Sequence, residues 1–542
     1  MKKILSAMLI ASMAISAVPI SGYAEETNQV KNVIMMIADG HSVGGTTLAR
    51  WYDGGKPLAL DEMACGLVRT FCADSAITDS APAATAYATG HKSHAAFIGV
   101  LPDANTMPGL DPIAPGDERK PVANIIEAAR LNGMSTGVVA TIEAQHATPA
   151  AFTAHSINRK NFNVIAEQQV YQGVDVLLAG GMYALEKSGR GDGEDLVSEI
   201  KNRGYDFVTT PDEMKKSTSD KLWGVFARAD LSYDIDRDPK EQPSLAEMTD
   251  KAISVLNKNP EGFFLMVEAS KVDQGAHPND PVAVVSDVLA YDKAVKTALD
   301  FAKKDGNTVV IAVTDHGNGG ISIGDESTTP NYMYQHIDTF LTALKKASKT
   351  GEGIGKILLD CDKSQIPEIV EKYYGIDDLT DEELAILEKD VESKRGAGMI
   401  YSLGKMISKR AHIGWTTGGH TGEDVPLYLY APEGVEKLGG VIDNTDISKY
   451  MTRLLGLDLD ATTEKLFVPV RKAFEEKGAE VVWDVSDAKN PVVVVKKGET
   501  EIKLPVDKSI AIVNGESVQL DGLTVYNGIL TYVPQSAIDL LK

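Results

Sequence analysis

The chain has 542 residues, of which 24% are charged and 43% hydrophobic, and its formal net charge is −23. A chain of this length can bury a large core without disulfides, and so acidic a balance argues against nucleic acid as a general partner, because a phosphate backbone requires a basic surface. The composition has no collagenous or low-complexity bias, so we expect globular domains.

Residues 1–24 have the pattern of a cleavable signal peptide. Lys2 and Lys3 precede an apolar stretch over residues 4–20, and the small residues Gly22 and Ala24 follow it. The strongly apolar part is shorter than the roughly 20 residues that span a bilayer, which favours a signal peptide over a membrane anchor. We expect an exported chain without a transmembrane segment, either periplasmic or extracellular, including the cell surface.

Four short apolar runs, each followed by acidic or histidine residues, predict buried strands. They are Val33–Ile37, Ser135–Ile142, Phe263–Val267 and Val309–Val313. Uncharged runs of this kind are typical of parallel strands that are covered on both faces. The predicted fold is therefore α/β and doubly wound, with a mostly parallel central sheet and helices on both faces. Because ligands bind beyond the carboxyl ends of such strands, we expect the polar residues after these runs to meet at one edge.

The chain has three cysteines, Cys65, Cys72 and Cys361. In an exported protein Cys65 could pair with Cys72. These two residues stand at the two ends of a strand-like segment, and an extended segment would hold them too far apart for a disulfide. The sequence leaves this pairing open.

Residues 77–86 predict that Ser80 lies at the start of a helix. Pro82 and an alanine-rich run follow Ser80, which is a helix-start pattern. The positive field and free N–H groups of a helix N-terminus would favour a serine nucleophile that becomes a phosphoester. The alternative is that Ser80 only caps the helix, which is the commoner role of a serine there.

The polar residues beyond the apolar runs include three sets of possible metal ligands. The first two sets combine nitrogen and oxygen atoms, which suits zinc with an open coordination position. The third set offers only oxygens, which suits a harder ion such as magnesium. In this order, the sets are Asp273, His277 and His420; Asp39, Asp315 and His316; and Asp39, Thr148 and Glu268.

The connection between His316 and His420 is longer than a link between two strands requires. We predict a helical insertion over about residues 321–410, with helices over residues 334–346 and 380–394. The pair Thr380 and Glu383 has the capping-box pattern of a helix start. The sequence leaves open whether this insertion serves the site entrance, a dimer contact or no function.

After about residue 475 the sequence changes to short strand-like pieces with turns at Asn514-Gly515 and Asn527-Gly528. We predict a catalytic domain over residues 25–475 and a small C-terminal α+β domain over residues 476–542. This last part resembles the copper amine oxidase N-terminal (stalk) domain. The resemblance is compatible with envelope attachment, with a spacer or with a stabilising appendage.

Six motifs occur in the order and approximate spacing of the alkaline phosphatases. They are Asn32–Gly40, Thr78–Ala81, Ala147–Ala150 with Arg159, Phe264–His277, Thr314–His316 and Gly419–Gly422. From about residue 32 to about residue 475, the chain therefore resembles this family. The resemblance implies a phosphomonoesterase with two Zn²⁺ and one Mg²⁺ per chain, small phosphomonoester substrates, and a homodimer.

The resemblance also implies residue roles. Ser80 resembles the nucleophile, which forms a phosphoserine, and Arg159 resembles the residue that holds the phosphate. The three ligand sets resemble the two zinc sites and the magnesium site. His146 and Gln274 resemble residues that stand beside the ligands and vary between members of the family.

The chain departs from the family pattern at several positions. Ala38 and His41 stand where glycine and methionine are common, and His146 with Gln274 matches neither of the commonest pairings. These differences leave the metal preference and the pH optimum open.

Other functions are compatible with the same metal scaffold, which also occurs in phosphodiesterases, sulfatases and phosphomutases. Ser80 together with Arg159 favours monoesters. A surface binding protein that keeps the fold without turnover is the non-enzymatic alternative. The complete ligand sets argue against it, because buried carboxylates are costly to keep without a metal.

Overall fold

The computed structural model describes residues 30–542, so the predicted signal peptide at residues 1–24 lies outside the described residues. A ten-stranded sheet forms the centre of the molecule. Its strands in chain order are β1 Asn32–Ala38, β2 Ala64–Arg69, β3 Ser135–Glu143, β4 Val176–Gly180, β5 Asp206–Val208, β6 Leu222–Val225, β7 Phe263–Ala269, β8 Thr308–Val313, β9 Val425–Tyr430 and β10 Gly440–Asp443.

The order of strands across the sheet is β10-β2-β9-β8-β1-β7-β3-β4-β6-β5. Strand β9 runs antiparallel to both of its neighbours, and the other pairings are parallel. The four strands predicted from apolar runs, β8, β1, β7 and β3, lie side by side. Their registers align Ile37 with Val313 and Ala38 with Ala269. The residues that follow these strands therefore come out at one edge, as predicted.

Helices cover both faces of the sheet. Alternate residues of β1 point into two separate cores, with Met35 in one and Met36 in the other. The α-helices of the described chain are Val43–Tyr52, Ser80–Thr89, Ile125–Leu131, Ala147–Ala151, Phe162–Gln172, Leu196–Asn202, Pro211–Lys216, Leu245–Leu256, Lys271–Ala276, Pro281–Asp305, Asp338–Lys346, Gly351–Leu358, Ile366–Tyr374, Asp381–Glu392, Ile400–Arg410, Asn444–Leu455, Leu459–Leu466, Val470–Glu476 and Gln535–Ile538. The doubly wound α/β fold predicted from the sequence is confirmed.

The region between β8 and β9 is a helical insertion whose hydrophobic core includes Phe340, Ile354 and Leu403. Leu48, Val282 and Val285 of the neighbouring helices complete this core. Thr380 caps the helix Asp381–Glu392 and forms the predicted capping box with Glu383. Two short strand pairs flank the insertion. They join Ser322–Ile323 with Ile413–Gly414, and Gly317–Asn318 with His420–Thr421.

Residues 459–542, which we call the C-terminal module, contain two small antiparallel sheets and three of the helices above. The five-stranded sheet comprises Glu480–Asp484, Val492–Lys497, Thr500–Pro505, Ile510–Val513 and Glu516–Gln519. The three-stranded sheet comprises Val468–Pro469, Val525–Tyr526 and Thr531–Val533. Gly515 and Gly528 both have positive φ in their turns, which explains the Asn-Gly signals in the sequence.

The three cysteines Cys65, Cys72 and Cys361 are free thiols. Cys65 lies within the extended strand β2, so the possible pairing with Cys72 does not occur. Across residues 30–542, none of the helices combines the length and the apolar character that crossing a membrane would require.

Candidate active site

Ser80 is the first residue of the helix Ser80–Thr89 and is buried. Asp79, not Ser80, is the residue that precedes the helix as its cap, and its side chain makes no capping hydrogen bond. The Ser80 hydroxyl instead lies 3.2 Å from Nε2 of His316. The capping alternative therefore does not describe Ser80, whose hydroxyl faces the imidazole of His316.

Asp39 follows β1 and stands in a turn that only glycine can complete. Gly40 has φ +64°, and a Cβ at this position would lie 2.9 Å from Cα of Asp273. The Gly40 N–H donates to Oδ1 of Asp315 at 3.1 Å. The His41 N–H donates to the Thr314 hydroxyl at 2.9 Å. These contacts join the turn after β1 to the polar residues after β8.

The helix Lys271–Ala276 follows β7 and carries Asp273. His277 ends this helix, so its Nε2 lies 3.2 Å from Oδ2 of Asp273. The other oxygen, Oδ1, accepts a hydrogen bond from Asn318 at 2.6 Å. Gln274 lies between the two predicted ligands and is partly buried.

His316 occupies the centre of the cluster. Its Nε2 lies 3.2 Å from Oδ2 of Asp315 and 3.5 Å from Oδ1 of Asp39. Its ring stacks on that of His420 with 3.6 Å between the centroids. Nε2 of His420 lies 3.8 Å from Oδ1 of Asp273. His316 therefore stands between the two predicted zinc sets.

Backbone carbonyls fix the orientation of two of these histidines. Nδ1 of His277 lies 2.9 Å from the carbonyl of Gly418, and Nδ1 of His420 lies 2.8 Å from that of Thr78. A carbonyl partner on Nδ1 leaves Nε2 free to bind a metal, which is the usual way such ligands are oriented.

Three groups of side chains have ligand atoms within 4.8 Å of one another and could each hold a metal ion. They are Asp273, His316 and His420; Asp39, Asp315 and His316; and Asp39, His146 and Glu268. The second group is the predicted second zinc set. The first contains two of the three residues predicted for the other zinc set, with His277 attached through Asp273. The third contains two of the predicted magnesium ligands, and His146 lies with them.

The donor atoms fit metal ions because several are buried without any other partner. Among the described residues, both oxygens of Asp39 and of Glu268 and Oδ2 of Asp315 are buried and make no hydrogen bond of normal geometry. Oγ1 of Thr148 is also buried without such a partner. Buried polar atoms are normally satisfied, and buried carboxylates are costly unless a cation compensates them. We therefore interpret this cluster as a metal centre.

The pKa values of the clustered side chains reflect their burial and their closeness to one another. Burial raises the pKa of Asp39 well above its usual range, and the charges of Asp315, Asp273 and Glu268 raise it further. Burial raises the pKa of Glu268 to about 8. Burial lowers the pKa of His277, but its hydrogen bond with Asp273 outweighs this effect and raises that pKa to about 9. These raised carboxyl pKa values mean that burial and mutual repulsion oppose the charged forms, which bound cations would favour.

Arg159 reaches the site from the loop after the helix Ala147–Ala151. Its guanidinium forms an ion pair with Asp79, the residue before Ser80. Its other terminal nitrogen lies 3.0 Å from Nε2 of His146. Burial, followed by the charge of Arg159, lowers the pKa of His146 to about 3, so this imidazole is neutral. The ion pair therefore holds the guanidinium of Arg159 against the residue that precedes Ser80.

Sequence reasoning missed Asp79 and Asn318 as contributors to the site. Asp79 orients Arg159 across 80 positions of sequence, and its only signal was its place beside Ser80. Asn318 holds Asp273 across 45 positions, and its only signal was its place shortly after His316.

Comparison with known proteins agrees with this geometry. The alkaline phosphatase family matches residues 30–457. The chain belongs to the alkaline phosphatase family. The copper amine oxidase N-terminal domain family matches residues 460–539. Both resemblances inferred from the sequence are confirmed, and the chain is a metal-dependent phosphomonoester hydrolase.

Individual alkaline phosphatases resemble the chain over most of their length. Alkaline phosphatase 3 of Bacillus subtilis is 36% identical over 473 residues, which cover 83% of this chain and 96% of that protein. The alkaline phosphatase of Thermus thermophilus is similar in structure with a TM-score of 0.70 at 28% identity, covering 81% and 95% of the two chains. A histidine-to-glutamate variant of the alkaline phosphatase from the Antarctic bacterium TAB5, with Mg bound, has a TM-score of 0.56 at 25% identity and covers 80% and 100%.

Proposed function

We propose that the protein is an exported alkaline phosphatase that hydrolyses phosphate monoesters through a phosphoserine on Ser80. The observation that carries this proposal is the Ser80 hydroxyl, which faces His316 at 3.2 Å at the edge of a buried ligand cluster. A serine at the N-terminus of a helix beside unpartnered carboxylates suits an attack on a doubly charged phosphate once cations are bound.

Two zinc ions and one magnesium ion are the cofactors that we propose. Asp273, His277 and His420 would hold the first zinc; Asp39, Asp315 and His316 the second zinc; and Asp39, Thr148 and Glu268 the magnesium. When bound, such ions stabilise the attacking and leaving oxygens and lower the pKa of a nearby hydroxyl and water. The Mg bound to the TAB5 variant supports a magnesium site in this fold.

The residues of the chain have distinct tasks in the proposed reaction. Arg159, held by Asp79, binds two phosphate oxygens through its planar fork. Ser80 Oγ attacks phosphorus, the bond to the alcohol oxygen breaks, and the alcohol leaves with the proton that the serine lost. Water then attacks the phosphoserine, phosphate leaves, and Ser80 regains its hydroxyl.

The roles of His146 and Gln274 in the proposal are supporting ones. His146 contacts the guanidinium of Arg159 and lies beside Asp39 and Glu268, so it joins the phosphate-binding arginine to the magnesium ligands. Gln274 separates Asp273 from His277 on one helix.

The remaining parts of the proposal concern the whole protein. The signal-peptide pattern of residues 1–24 supports export to the periplasm or the cell exterior. The family resemblance supports a homodimer. We retain a catalytic domain over residues 25–475 with an insertion over residues 321–410. The predicted small C-terminal domain over residues 476–542 forms most of the C-terminal module, which begins earlier, at residue 459, and we propose that this module could attach the enzyme to the envelope.

The experiment that tests the function compares the purified wild type with Ser80→Ala and Ser75→Ala on p-nitrophenyl phosphate. The Ser75 hydroxyl is exposed and donates to the carbonyl of Ile77, so Ser75→Ala is a matched control. We expect wild type and S75A to be active, to lose activity on chelation, and to regain it with zinc and magnesium. We expect S80A to lose at least about a thousandfold in kcat. Full activity of S80A would contradict the proposal.

A further inference from the structure

The C-terminal module touches the segment that leads to Arg159. The ring of Phe467 meets the ring of His155 edge-on, with 4.7 Å between the centroids. Two residues farther along, Ile157 faces the turn at Gly528, where an added Cβ would lie 2.8 Å from Cδ1 of Ile157. Arg159 is only two residues beyond Ile157.

The opposite side of the same segment is held by the catalytic part of the chain. The backbone N–H of Arg159 donates to the carbonyl of Ala96 at 2.9 Å. Ser156 and Ile98 exchange backbone hydrogen bonds of 2.9 and 2.7 Å. The segment before Arg159 therefore lies between a backbone pairing on one side and the C-terminal module on the other.

The module also forms polar contacts with the helix Phe162–Gln172, which begins shortly after Arg159. Lys508 lies 3.1 Å from the Glu167 carboxylate. Asp507 accepts a hydrogen bond from the Gln168 amide at 2.7 Å. The Ser509 hydroxyl donates to a backbone carbonyl of the last turn of this helix at 2.7 Å. Arg159 thus stands between two segments that are both docked on the module.

The turn at Gly528 is held by its own hydrogen bonds, so it can hold Ile157 in a defined position. The Asn527 side-chain amide donates to the carbonyl of Arg119 at 2.8 Å, and its oxygen accepts from the N–H groups of Ile529 and Leu530. Arg119 forms an ion pair with Asp103 on the catalytic side. The turn is therefore anchored independently of Ile157.

We propose that the C-terminal module is a positioning element of the active site, which fixes the guanidinium of Arg159 relative to Ser80 through Phe467 and Gly528. The proposal rests on the proposed role of Arg159 in holding phosphate. Because a displacement of about 1 Å in a positioning group can cost a large factor in rate, contacts two residues from Arg159 affect phosphate binding. The module does not touch the substrate.

The test uses the full-length, metal-loaded enzyme with Gly528→Leu and the control Gly515→Leu. Both glycines follow an asparagine in a turn of the module and have positive φ, so both substitutions strain the backbone alike. A Cβ at Gly515 meets nothing within 4 Å, whereas one at Gly528 meets Ile157. We expect G528L to raise the inhibition constant of inorganic phosphate and the KM for p-nitrophenyl phosphate about three- to tenfold, and G515L to leave both unchanged.

Two further variants separate positioning from loss of folding. Ile157→Ala removes the side chain that a residue at 528 would strike, so I157A combined with G528L should bring the phosphate constant back towards the wild type. Phe467→Leu removes the ring against His155 without adding bulk, and it should raise the phosphate constant in the same direction. Thermal unfolding of G528L and G515L should occur at similar temperatures.

Measurements in Arg159→Ala show whether the role of Arg159 or the positioning role of the module fails. We expect R159A alone to raise the phosphate constant strongly, and G528L to add nothing further to R159A, because contacts that act through one residue are non-additive. A strong effect of R159A with no effect of G528L or F467L would overturn the positioning role and leave the proposed function intact. An effect of G528L that persists in R159A would also overturn it. A phosphate constant that R159A leaves unchanged would overturn the proposed role of Arg159 and, with it, the positioning role of the module, whereas the proposed function is tested separately by S80A.

Discussion

At the scale of single residues, the turn after β1 explains how the chain tolerates its departures from the family pattern. His41 is buried, its Nε2 lies 2.9 Å from the Thr46 hydroxyl, and burial lowers its pKa to about 4. The imidazole is therefore neutral and acts as a packing residue behind the turn. Gly40 keeps the close approach to Asp273 that the site requires.

Gly40→Ala tests this close approach. An added methyl group meets the backbone and carboxylate of Asp273, and the positive φ of Gly40 strains any other residue. We expect kcat/KM to fall at least about a hundredfold, because a ligand displaced by such a clash loses its metal geometry. Gly54→Ala is the control, since Gly54 also has positive φ but has no atom near its Cβ position. Equal losses in the two variants would contradict this explanation.

Asp507→Asn tests a titration at the contact between the module and the catalytic part. Burial, followed by the charge of Glu167, raises the pKa of Asp507 to about 7. Asn keeps the acceptor for Gln168 and tolerates the φ of +67° at this position. A raised carboxyl pKa contributes stability that is present below the unfolded pKa of about 4 and is lost as the pH rises through about 7.

We therefore expect D507N to gain stability relative to the wild type as the pH rises from 4 to 8, by up to about 4 kcal/mol at pH 8. Denaturant titrations of both proteins across this pH range measure the difference. A difference that is constant with pH would show that the Asp507 carboxyl does not titrate on folding.

At the scale of elements, the strands that are long apolar runs were predicted from the sequence, and short or partly exposed strands were missed. The strands β8, β1, β7 and β3 were predictable because each is a continuous apolar run that is buried on both faces. The edge strand β5 has only three residues and includes an exposed Asp206, so no run marks it. The module strand Glu480–Asp484 was also missed, since it has only three apolar residues between two acidic ones and none of its residues is fully buried.

The same contrast applies to the candidate site. The ligand types and their chain order were readable, because each follows a buried strand or belongs to a short motif. The ion pair of Asp79 with Arg159 and the approach of His146 to Glu268 were not readable, because they depend on how the loops after β3 pack against the helix of Ser80. The sequence assigned His146 a place beside the ligands, and the structure adds which ligands these are.

Lys271→Met tests whether Lys271 holds the helix Lys271–Ala276 against the insertion. The Lys271 side chain is almost fully buried, forms an ion pair with Asp230, lies 4.0 Å from Glu352 of the insertion, and stands over the ring of Tyr233. Lys271 is buried, whereas Asp230 is 36% exposed, so removing the lysine leaves a partner charge that water can compensate only in part. We expect a loss of roughly 1 to 3 kcal/mol in the free energy of unfolding, measured by denaturant titration.

The control for this prediction is Lys296→Met. Lys296 forms an exposed ion pair with Asp300 at 2.7 Å, and such pairs contribute little. We expect K296M to change the free energy of unfolding by less than about 0.5 kcal/mol. Equal effects of K271M and K296M would mean that the insertion is not held through Lys271.

At the scale of the whole molecule, the proposed metal ions would join segments that are distant in sequence. Asp39 and Asp315 follow strands β1 and β8, Glu268 lies near the end of β7, and Asp273 lies on the helix after β7. His420 comes from the chain that returns from the insertion. Burial, with the nearby charges of Asp315 and Asp273, raises the pKa values of Asp39 and Glu268, so these carboxylates repel one another in the absence of cations. Because the chain has a net charge of −23, charges elsewhere on the protein do little to compensate this repulsion.

Metal removal should therefore destabilise the protein, and it should reverse the sign of the effect of Glu268→Gln on the Tm. We expect chelation to lower the Tm of the wild type by roughly 5 to 15 °C, because ions that bind only the folded state stabilise it. Glu268→Gln removes one of the repelling carboxylates. It should raise the Tm of the chelated protein and lower that of the metal-loaded protein relative to the wild type. A shift of the same sign in both states would contradict the repulsion argument.

The central claim is that Ser80 carries the phosphoryl group during turnover. The most direct measurement is an acid quench of the metal-loaded enzyme with a phosphate monoester, followed by peptide mass spectrometry of wild type and Ser80→Ala. We expect one added phosphoryl group on the peptide with Ser80 in the wild type, and none on the corresponding peptide of S80A. Turnover by the wild type without any phosphorylated peptide, or phosphorylation at another residue that persists in active S80A, would contradict it.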